Sequence, residues 1–492
     1  MWTSADLQAF VKDKLRDYVF VVVSNREPYE HVFTRKKITW QRGAGGVVSA
    51  LDPVMRSSKG IWVAFGSGDA DRRAADSQGR VQVPPDNPQY TLKRVWLTKE
   101  EETGYYYGYS NEALWPLSHM AFHRPAFRQE DWDYYVTVNQ KFAQAVLAEL
   151  AGRPAFVWIQ DYHLCLLPRL LKEMAPQQLI IAQFWHIPWP NHETFRICPH
   201  KKELLTGLLA NDLLGFHIQY HCANFMDVVD RELECRIDRE RFSIVRQEHE
   251  TMVRPFPISI DFDGINERIT QPDVAQAQKA LAEEIGAEGL SIIAGVDRLD
   301  YTKGIPERFA AFDRLLEKHP ELKGKVVFLQ MGELSRMHIS AYRQLNDELN
   351  ALVEHINWKH STDEWRPVIL IRRHLSPAEM LALFRLCNVC VVSPLHDGMN
   401  LVAKEFVASR ADGDAMLVLS RFAGAARELV DAILVNPFDQ EQFSDGLYEA
   451  LTIAPEERRR RMEKMRGVIR EHNVFRWAGQ VLADLLRLEI KA

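Results

Sequence analysis

Two stretches of this chain concentrate residue types that do chemistry: Gly295-Val296-Asp297-Arg298-Leu299-Asp300-Tyr301-Thr302-Lys303-Gly304 and Ser393-Pro394-Leu395-His396-Asp397-Gly398-Met399-Asn400-Leu401-Val402-Ala403-Lys404-Glu405. The first carries two cations, Arg298 and Lys303, with no lysine cluster around them to mark a merely solvated face. The second carries Asp397, the flexible Gly398, a run of backbone N–H groups, and the carboxylate of Glu405 about two helical turns on. Cations of the first kind suit a diphosphate, and groups of the second kind suit a polyol. Each stretch follows an apolar run, Ser291 to Val296 and Val389 to Ser393. Both therefore read as loops at the C-terminal ends of strands, where open α/β sheets bind ligands.

The elements that would position these loops are legible as further apolar runs. Tyr18 to Ser24, Gly60 to Phe65, Lys93 to Leu97, Phe156 to Gln160, Leu179 to Trp185 and Leu213 to His217 form one series. Ser291 to Val296, Val326 to Met331, Pro367 to Ile371, Val389 to Ser393, Met416 to Ser420 and Ile433 to Asn436 form a second. Helical patterns such as Asn139 to Leu150 and Pro306 to His319 lie between them, the signature of parallel sheets with crossover helices. Two series predict an α/β protein with two doubly wound domains, joined near Arg254-Pro255-Phe256-Pro257, where two prolines interrupt regular structure. Length agrees, since 492 residues exceed the roughly 250–300 that one core supports. The last helical pattern, Val474 to Leu488, is rich in Leu, Val and Trp and is expected to cross back onto the first domain.

Composition narrows the partners. With 61 basic and 67 acidic residues the formal charge is −6, so composition implies no polyanion-binding surface and nucleic acid is an unexpected partner. No apolar run reaches the roughly 18 residues of a membrane-spanning helix. Met1 to Tyr18 sets Leu7, Phe10, Val11 and Leu15 at helical spacing among charges and lacks the apolar core of a signal peptide, so it predicts a surface helix on a cytoplasmic protein without a membrane partner. The six cysteines are scattered, as expected of reduced thiols. Cys387 and Cys390 lie in or against an apolar strand, with no second pair, and read as buried structural residues rather than a zinc or redox site.

Phosphate loops of the common kinds are missing. Gly43-Ala44-Gly45-Gly46 and Gly66-Ser67-Gly68-Asp69 fail the Gly-x-Gly-x-x-Gly spacing, and no Gly-Lys-Ser/Thr follows a glycine-rich turn. Hydride transfer and Walker-type ATP chemistry are therefore disfavoured. The Asp-x-Asp triplets Asp69-Asp71, Asp131-Asp133 and Asp412-Asp414 read as turns or solvated surface, and the arginines 458–461 as a solvated helix face. Taken singly, other residues have plain readings too. Arg298 could be a surface ion-pair partner, Glu405 a helix-surface charge, His186 a core histidine, Asp161 a helix cap, Arg26 the end of a strand, and Tyr106 and Trp115 packing residues.

Joint occurrence changes that. The run Val296 to Arg308 together with Asp397 to Glu405 resembles the trehalose-6-phosphate synthase family, as do Tyr106 to Trp115, Trp158 to Leu167, His186 to Pro190 and Phe422 to Ala426, in family order and across nearly the whole chain. The resemblance implies the GT-B glycosyltransferase architecture, two Rossmann-like domains facing a cleft that holds the active site. It assigns residues 1–256 to the acceptor, residues 257–473 to a nucleotide-sugar donor, and residues 474–492 to the returning helix. It implies that Arg298 and Lys303 hold the donor diphosphate and stabilise the leaving group. Glu405 would take the ribose hydroxyls, and Asp397 with Gly398, Met399, Asn400, Leu401 and Val402 the rest of the donor, joined by His186. Gly45 and Gly46 would let backbone approach the donor phosphates. Arg26, Tyr106, Trp115 and Arg336 match residues at the acceptor phosphate, and Asp161 one beside the acceptor sugar.

The family's retaining, front-face chemistry implies neither metal nor cofactor, with uridine as the default donor base, and leaves room for a homo-oligomer. Departures keep the acceptor open. Glu27-Pro28-Tyr29 resembles the glucosylglycerol-phosphate synthase branch, and a long basic loop, Glu30 to Gln41, follows it. His396 replaces an arginine, and Trp62-Val63-Ala64-Phe65 a Trp-x-Gly-Trp. Glucose 6-phosphate is the expected acceptor, glycerol 3-phosphate or another polyol phosphate the nearest alternative, and a non-catalytic sugar-phosphate sensor the alternative from another class.

Overall fold

Runs of β-branched and aromatic residues without polar alternation, such as Val19–Ser24 and Ser291–Val296, are covered on both faces, as strands of parallel sheets under helices must be. The computed structural model describes residues 2–15, 17–42, 46–175, 178–286 and 288–489. They fall into two units, Met1–Ile258 with Val474–Ala492, and Ser259–Asn473.

Unit 1 carries a ten-stranded sheet in the order Arg236–Asp238, Ser243–Arg246, His249–Pro255, Leu213–Phe216, Leu179–Phe184, Ala155–Gln160, Val19–Ser24, Ile61–Phe65, Tyr90–Val95, Arg80–Val83. From Val19–Ser24 the chain steps outwards through Ile61–Phe65 and Tyr90–Val95. It then returns to Ala155–Gln160 and steps outwards on the other side. The reversal therefore lies between Val19–Ser24 and Ala155–Gln160, which are parallel neighbours. A doubly wound sheet opens its ligand crevice at the carboxyl ends of such a pair. The edge strands at both margins are antiparallel.

Val474–Glu489 packs on this unit. Trp477 Nε1 donates to the Phe256 carbonyl at 3.2 Å, and its ring lies 4.8 Å from Trp158 and 5.2 Å from Phe184. The helix Ser4–Lys14, opened by a Thr3 capping box, buries Leu7 and Val11, so the apolar stripe of this expected surface helix is covered. Glu30 to Gln41, expected as a loop, is instead a hairpin of Tyr29–Thr34 against Lys37–Arg42. Arg35 and Lys36 close it at φ 49° and 68°, the two positive values that a type I′ turn needs.

Unit 2 has a six-stranded sheet in the order Val368–Ile371, Val326–Met331, Ser291–Val296, Val389–Val392, Met416–Ser420, Ile433–Val435, with every pairing parallel. Its reversal lies between Ser291–Val296 and Val389–Val392, the strands that precede the two motif loops.

Candidate active site

In unit 2 the loop after Val296 passes into a single turn, Tyr301–Lys303, capped by Asp300, whose Oδ1 accepts from the Thr302 N–H at 3.0 Å and the Thr302 hydroxyl at 2.9 Å. Gly304 follows at φ 62°, and a Cβ there would run into the Ser393 carbonyl. Glycine thus lets the two loops touch. Lys303 Nζ reaches Asp397 Oδ2 at 2.7 Å, and Asn400 Nδ2 donates to the same oxygen at 3.2 Å. Burial alone would lower the Lys303 pKa, but the Asp397 and Asp297 carboxylates outweigh it and hold the ammonium above its ordinary value. The buried Arg308 clamps both loops, giving hydrogen bonds to Asp297 Oδ2 at 2.7 Å, Ser393 Oγ at 2.9 Å and the Lys303 carbonyl at 2.9 Å.

The second loop is also fastened from its far side. Asp397 N–H donates to the Phe422 carbonyl, Gly424 N–H to Asp397 and Ala425 N–H to Met399, at 3.2, 3.2 and 2.9 Å. Asn400, at φ 83°, caps the helix Leu401–Ser409 through Ala403 N–H, so Leu401 and Val402 stand at a helix amino end. Glu405 is half-buried in the same helix, and its buried neighbour Lys404 pairs with Glu428 at 2.7 Å. The Lys303 ammonium, together with a helix amino end in the adjoining loop, is chemistry that suits an anion. A carboxylate one turn in can only accept hydrogen bonds, which suits hydroxyls.

In unit 1, Arg26 and Asp161 follow the two strands of the reversal. Arg26 Nη2 donates to the Tyr106 hydroxyl at 3.2 Å. Its own carbonyl accepts from Ser24 Oγ, which takes the Trp62 Nε1–H, both at 2.7 Å. Tyr106 belongs to Thr103–Leu114, a helix wound with i→i+5 hydrogen bonds that runs into Trp115–His119. Such winding usually lasts a single turn and marks functional sites, whereas here it extends over 12 residues. It lays Tyr106 flat against His163, with ring centroids 5.7 Å apart, and sets Trp115 5.9 Å from Tyr162. Asn111 closes the group, donating to the Tyr106 carbonyl at 2.6 Å and accepting from the Tyr162 hydroxyl at 2.9 Å.

Asp161 does not cap a helix. Its backbone stands at φ 69°, ψ −178°, a region nearly reserved for glycine, and its Oδ1 accepts the His186 N–H at 3.2 Å. His186 Nε2 meets Gln160 Oε1 at 2.8 Å, and the His186 carbonyl accepts from His217 at 3.0 Å. Burial first, then His217 and His163, push the His186 imidazole well below the ordinary histidine value, so it is neutral at neutral pH.

With this geometry in place, the sequence profile of glycosyltransferase family 20 matches residues 18–487. The chain belongs to glycosyltransferase family 20. Curated relatives called trehalose-6-phosphate synthase include one from Mycobacterium ulcerans (strain Agy99), 39% identical over 478 residues and covering 95% of this chain and 94% of the relative. One from Mycobacterium tuberculosis (strain ATCC 25618 / H37Rv) is 38% identical over 477 residues, 95% of each chain. Among solved structures, an α,α-trehalose-phosphate synthase (UDP-forming) from Burkholderia xenovorans in complex with glucose-6-phosphate superposes with TM-score 0.84 at 30% identity, covering 95% of this chain and 99% of that one. An E. coli protein bound with UDP-2-fluoro glucose superposes with TM-score 0.83 at 31% identity, covering 95% and 98%.

As a family 20 glycosyltransferase with GT-B architecture, the chain gathers Arg298, Lys303, Asp397, Gly398, Met399, Asn400, Leu401, Val402 and Glu405 at one sheet end in unit 2. It gathers Arg26, Tyr106, Trp115, Asp161 and His186 at one sheet end in unit 1. Arg336 lies in unit 2, where its Nη1 donates to the Tyr342 hydroxyl at 2.6 Å. Gly46 opens the helix Gly46–Ser58, and Gly45 lies outside the described residues.

One expectation is corrected. Asp71, read with Asp69 as turn or solvated surface, is fully buried, 2.7 Å from Arg94, because Arg94 crosses beneath the hairpin and needs carboxylate partners. Glu27 is the other partner, also at 2.7 Å. Within the Glu27-Pro28-Tyr29 departure, Glu27 holds Arg94 and Tyr29 bonds to Asp52.

Proposed function

We propose that this family 20 glycosyltransferase moves glucose from UDP-glucose to glucose 6-phosphate, forming trehalose 6-phosphate with retention at the anomeric carbon and without a metal ion. The observation that carries the reading is the meeting of Lys303 with Asp397, beside Arg298, at the strand reversal of unit 2. Arg298 and Lys303 neutralise the diphosphate as the C1–O bond breaks, the task a divalent ion has elsewhere. Glu405 takes the ribose hydroxyls, and Asp397 with the backbone of Gly398, Met399 and Asn400 takes the glucose. Arg26, Tyr106, Trp115 and Arg336 meet the acceptor phosphate, for which a guanidinium offers paired N–H groups.

The new C1–O bond forms on the face the diphosphate leaves, and the departing phosphate oxygen takes the proton of the attacking hydroxyl. No protein base is then required. A neutral His186 fits a hydrogen-bonding role, with Gln160 Oε1 accepting the proton on Nε2.

Purified full-length protein, UDP-glucose and EDTA, incubated with glucose 6-phosphate or glycerol 3-phosphate and followed by proton NMR, test the proposal. An α,α-linked product from glucose 6-phosphate is expected. Turnover of glycerol 3-phosphate alone would replace the acceptor, and no turnover of either would leave a sensor.

A further inference from the structure

The acceptor-phosphate arginine of unit 2 is held by a residue that no motif singles out. We propose that Tyr342 is a positioning residue for phosphate recognition, aiming the Arg336 guanidinium and tying it to the turn that carries Lys303. This rests on the reading of Arg336 given above.

Arg336 Nη1 donates to the Tyr342 hydroxyl at 2.6 Å, and that hydroxyl lies 2.9 Å from Asp300 Oδ2. A guanidinium has no acceptor, so the hydroxyl proton must point to the carboxylate, and the direction of the relay is set. The direct separation of Arg336 from Asp300 is 3.6 Å, beyond hydrogen-bond range, which makes the tyrosine the bridge. Asp300 Oδ1 meanwhile holds Thr302 in the turn that ends at Lys303. One buried carboxylate therefore anchors both the donor-side turn and, through Tyr342, the arginine. Burial would raise the Asp300 pKa, but Arg336, Arg298 and Lys303 outweigh it and keep the carboxyl below its ordinary value.

The surroundings are closely packed. Tyr342 is 1% exposed, with its ring edge-on to Tyr301 at 5.2 Å and 5.6 Å from the Arg336 guanidinium carbon. Arg336 itself stands at φ 48°, and its carbonyl accepts the Ile339 N–H at 2.8 Å. A long side chain pinned at root and tip has surrendered its rotamer freedom before substrate arrives, which is how preorganisation raises affinity.

Tyr342→Phe keeps the ring and removes the relay. The KM for glucose 6-phosphate is expected to rise about tenfold, the scale of one hydrogen bond to a charged group. The KM for UDP-glucose and the turnover of unphosphorylated glucose should stay within about twofold. In a cycle with Arg336→Gln, the double variant should be no worse than Arg336→Gln alone. Arg336→Lys gives an independent variant and should show the same split between the two KM values. Equal rises in both KM values with a fall in melting temperature, or additive effects in the cycle, would overturn the proposal in favour of a structural tyrosine. If Arg336→Gln raises the KM and Tyr342→Phe does not, the relay alone fails. If Arg336→Gln leaves it unchanged, the phosphate reading of Arg336 fails and the relay with it.

Discussion

Lys303 Nζ and Asp397 Oδ2 lie 2.7 Å apart although 94 positions separate them in the chain. They meet because the strands that deliver them are parallel neighbours at the sheet reversal, and because Gly304 lets one loop press on the other. The cation is held charged by the carboxylates around it. Lys303→Ala should therefore lower kcat/KM by about a hundredfold or more, the scale of one lost electrostatic stabiliser. Steady-state kinetics with UDP-glucose measure it, and a fall below about threefold would remove Lys303 from the leaving-group role.

Gly424 is a second close approach. A Cβ there would strike the Gly398 carbonyl, so Gly424→Ala must push the 397–400 loop aside. Overpacking of this kind costs about 1–3 kcal/mol. Weaker UDP binding is expected by calorimetry, with the glucose 6-phosphate KM unchanged.

The Lys404–Glu428 pair, with Lys404 1% exposed on its side chain, gives a stability prediction. Lys404→Met strands the Glu428 carboxylate and should cost about 3 kcal/mol, whereas Lys404→Met with Glu428→Leu should recover most of it. Urea denaturation of both variants decides, since additive losses would mean that the two charges act independently.

His186 makes stability depend on pH. Its folded pKa lies well below the unfolded value of about 6.5, so below that pH the unfolded chain binds a proton that the folded site refuses. The stabilisation is present above about pH 6.5 and declines on acidification. Melting temperatures between about pH 7 and 5 should fall less steeply in His186→Asn than in the parent protein.

Much of the candidate site in unit 2 was legible because its residues are contiguous. Arg298 to Lys303 and Asp397 to Glu405 each occupy one loop after one apolar run, and the strand signal alone locates such loops. The candidate site in unit 1 was less so. Thr103–Leu114 winds with i→i+5 bonds, and Gly104 and Gly108 let it press on Tyr134 and Asp131, contacts that local sequence does not display. The hairpin was hidden for a similar reason: strand residues Phe33, Ile38 and Trp40 are left exposed, and two non-glycine residues make its turn. Arg308 stood in plain view inside a motif, yet its role as a clamp appears only when Asp297, Ser393 and Lys303 converge on it.

The chain alone thus determined the central parallel strands, the two doubly wound units and the loops that carry charge, since these follow from periodicity and short-range residue chemistry, while the hairpin and the antiparallel margins of the first sheet escaped it. Tertiary structure decided which charges meet. Lys303 found Asp397, Arg336 found Tyr342 and Asp300, and His186 was kept uncharged by burial. Each outcome depends on strand order in the sheet and on exclusion of water, quantities set by contacts far apart in sequence.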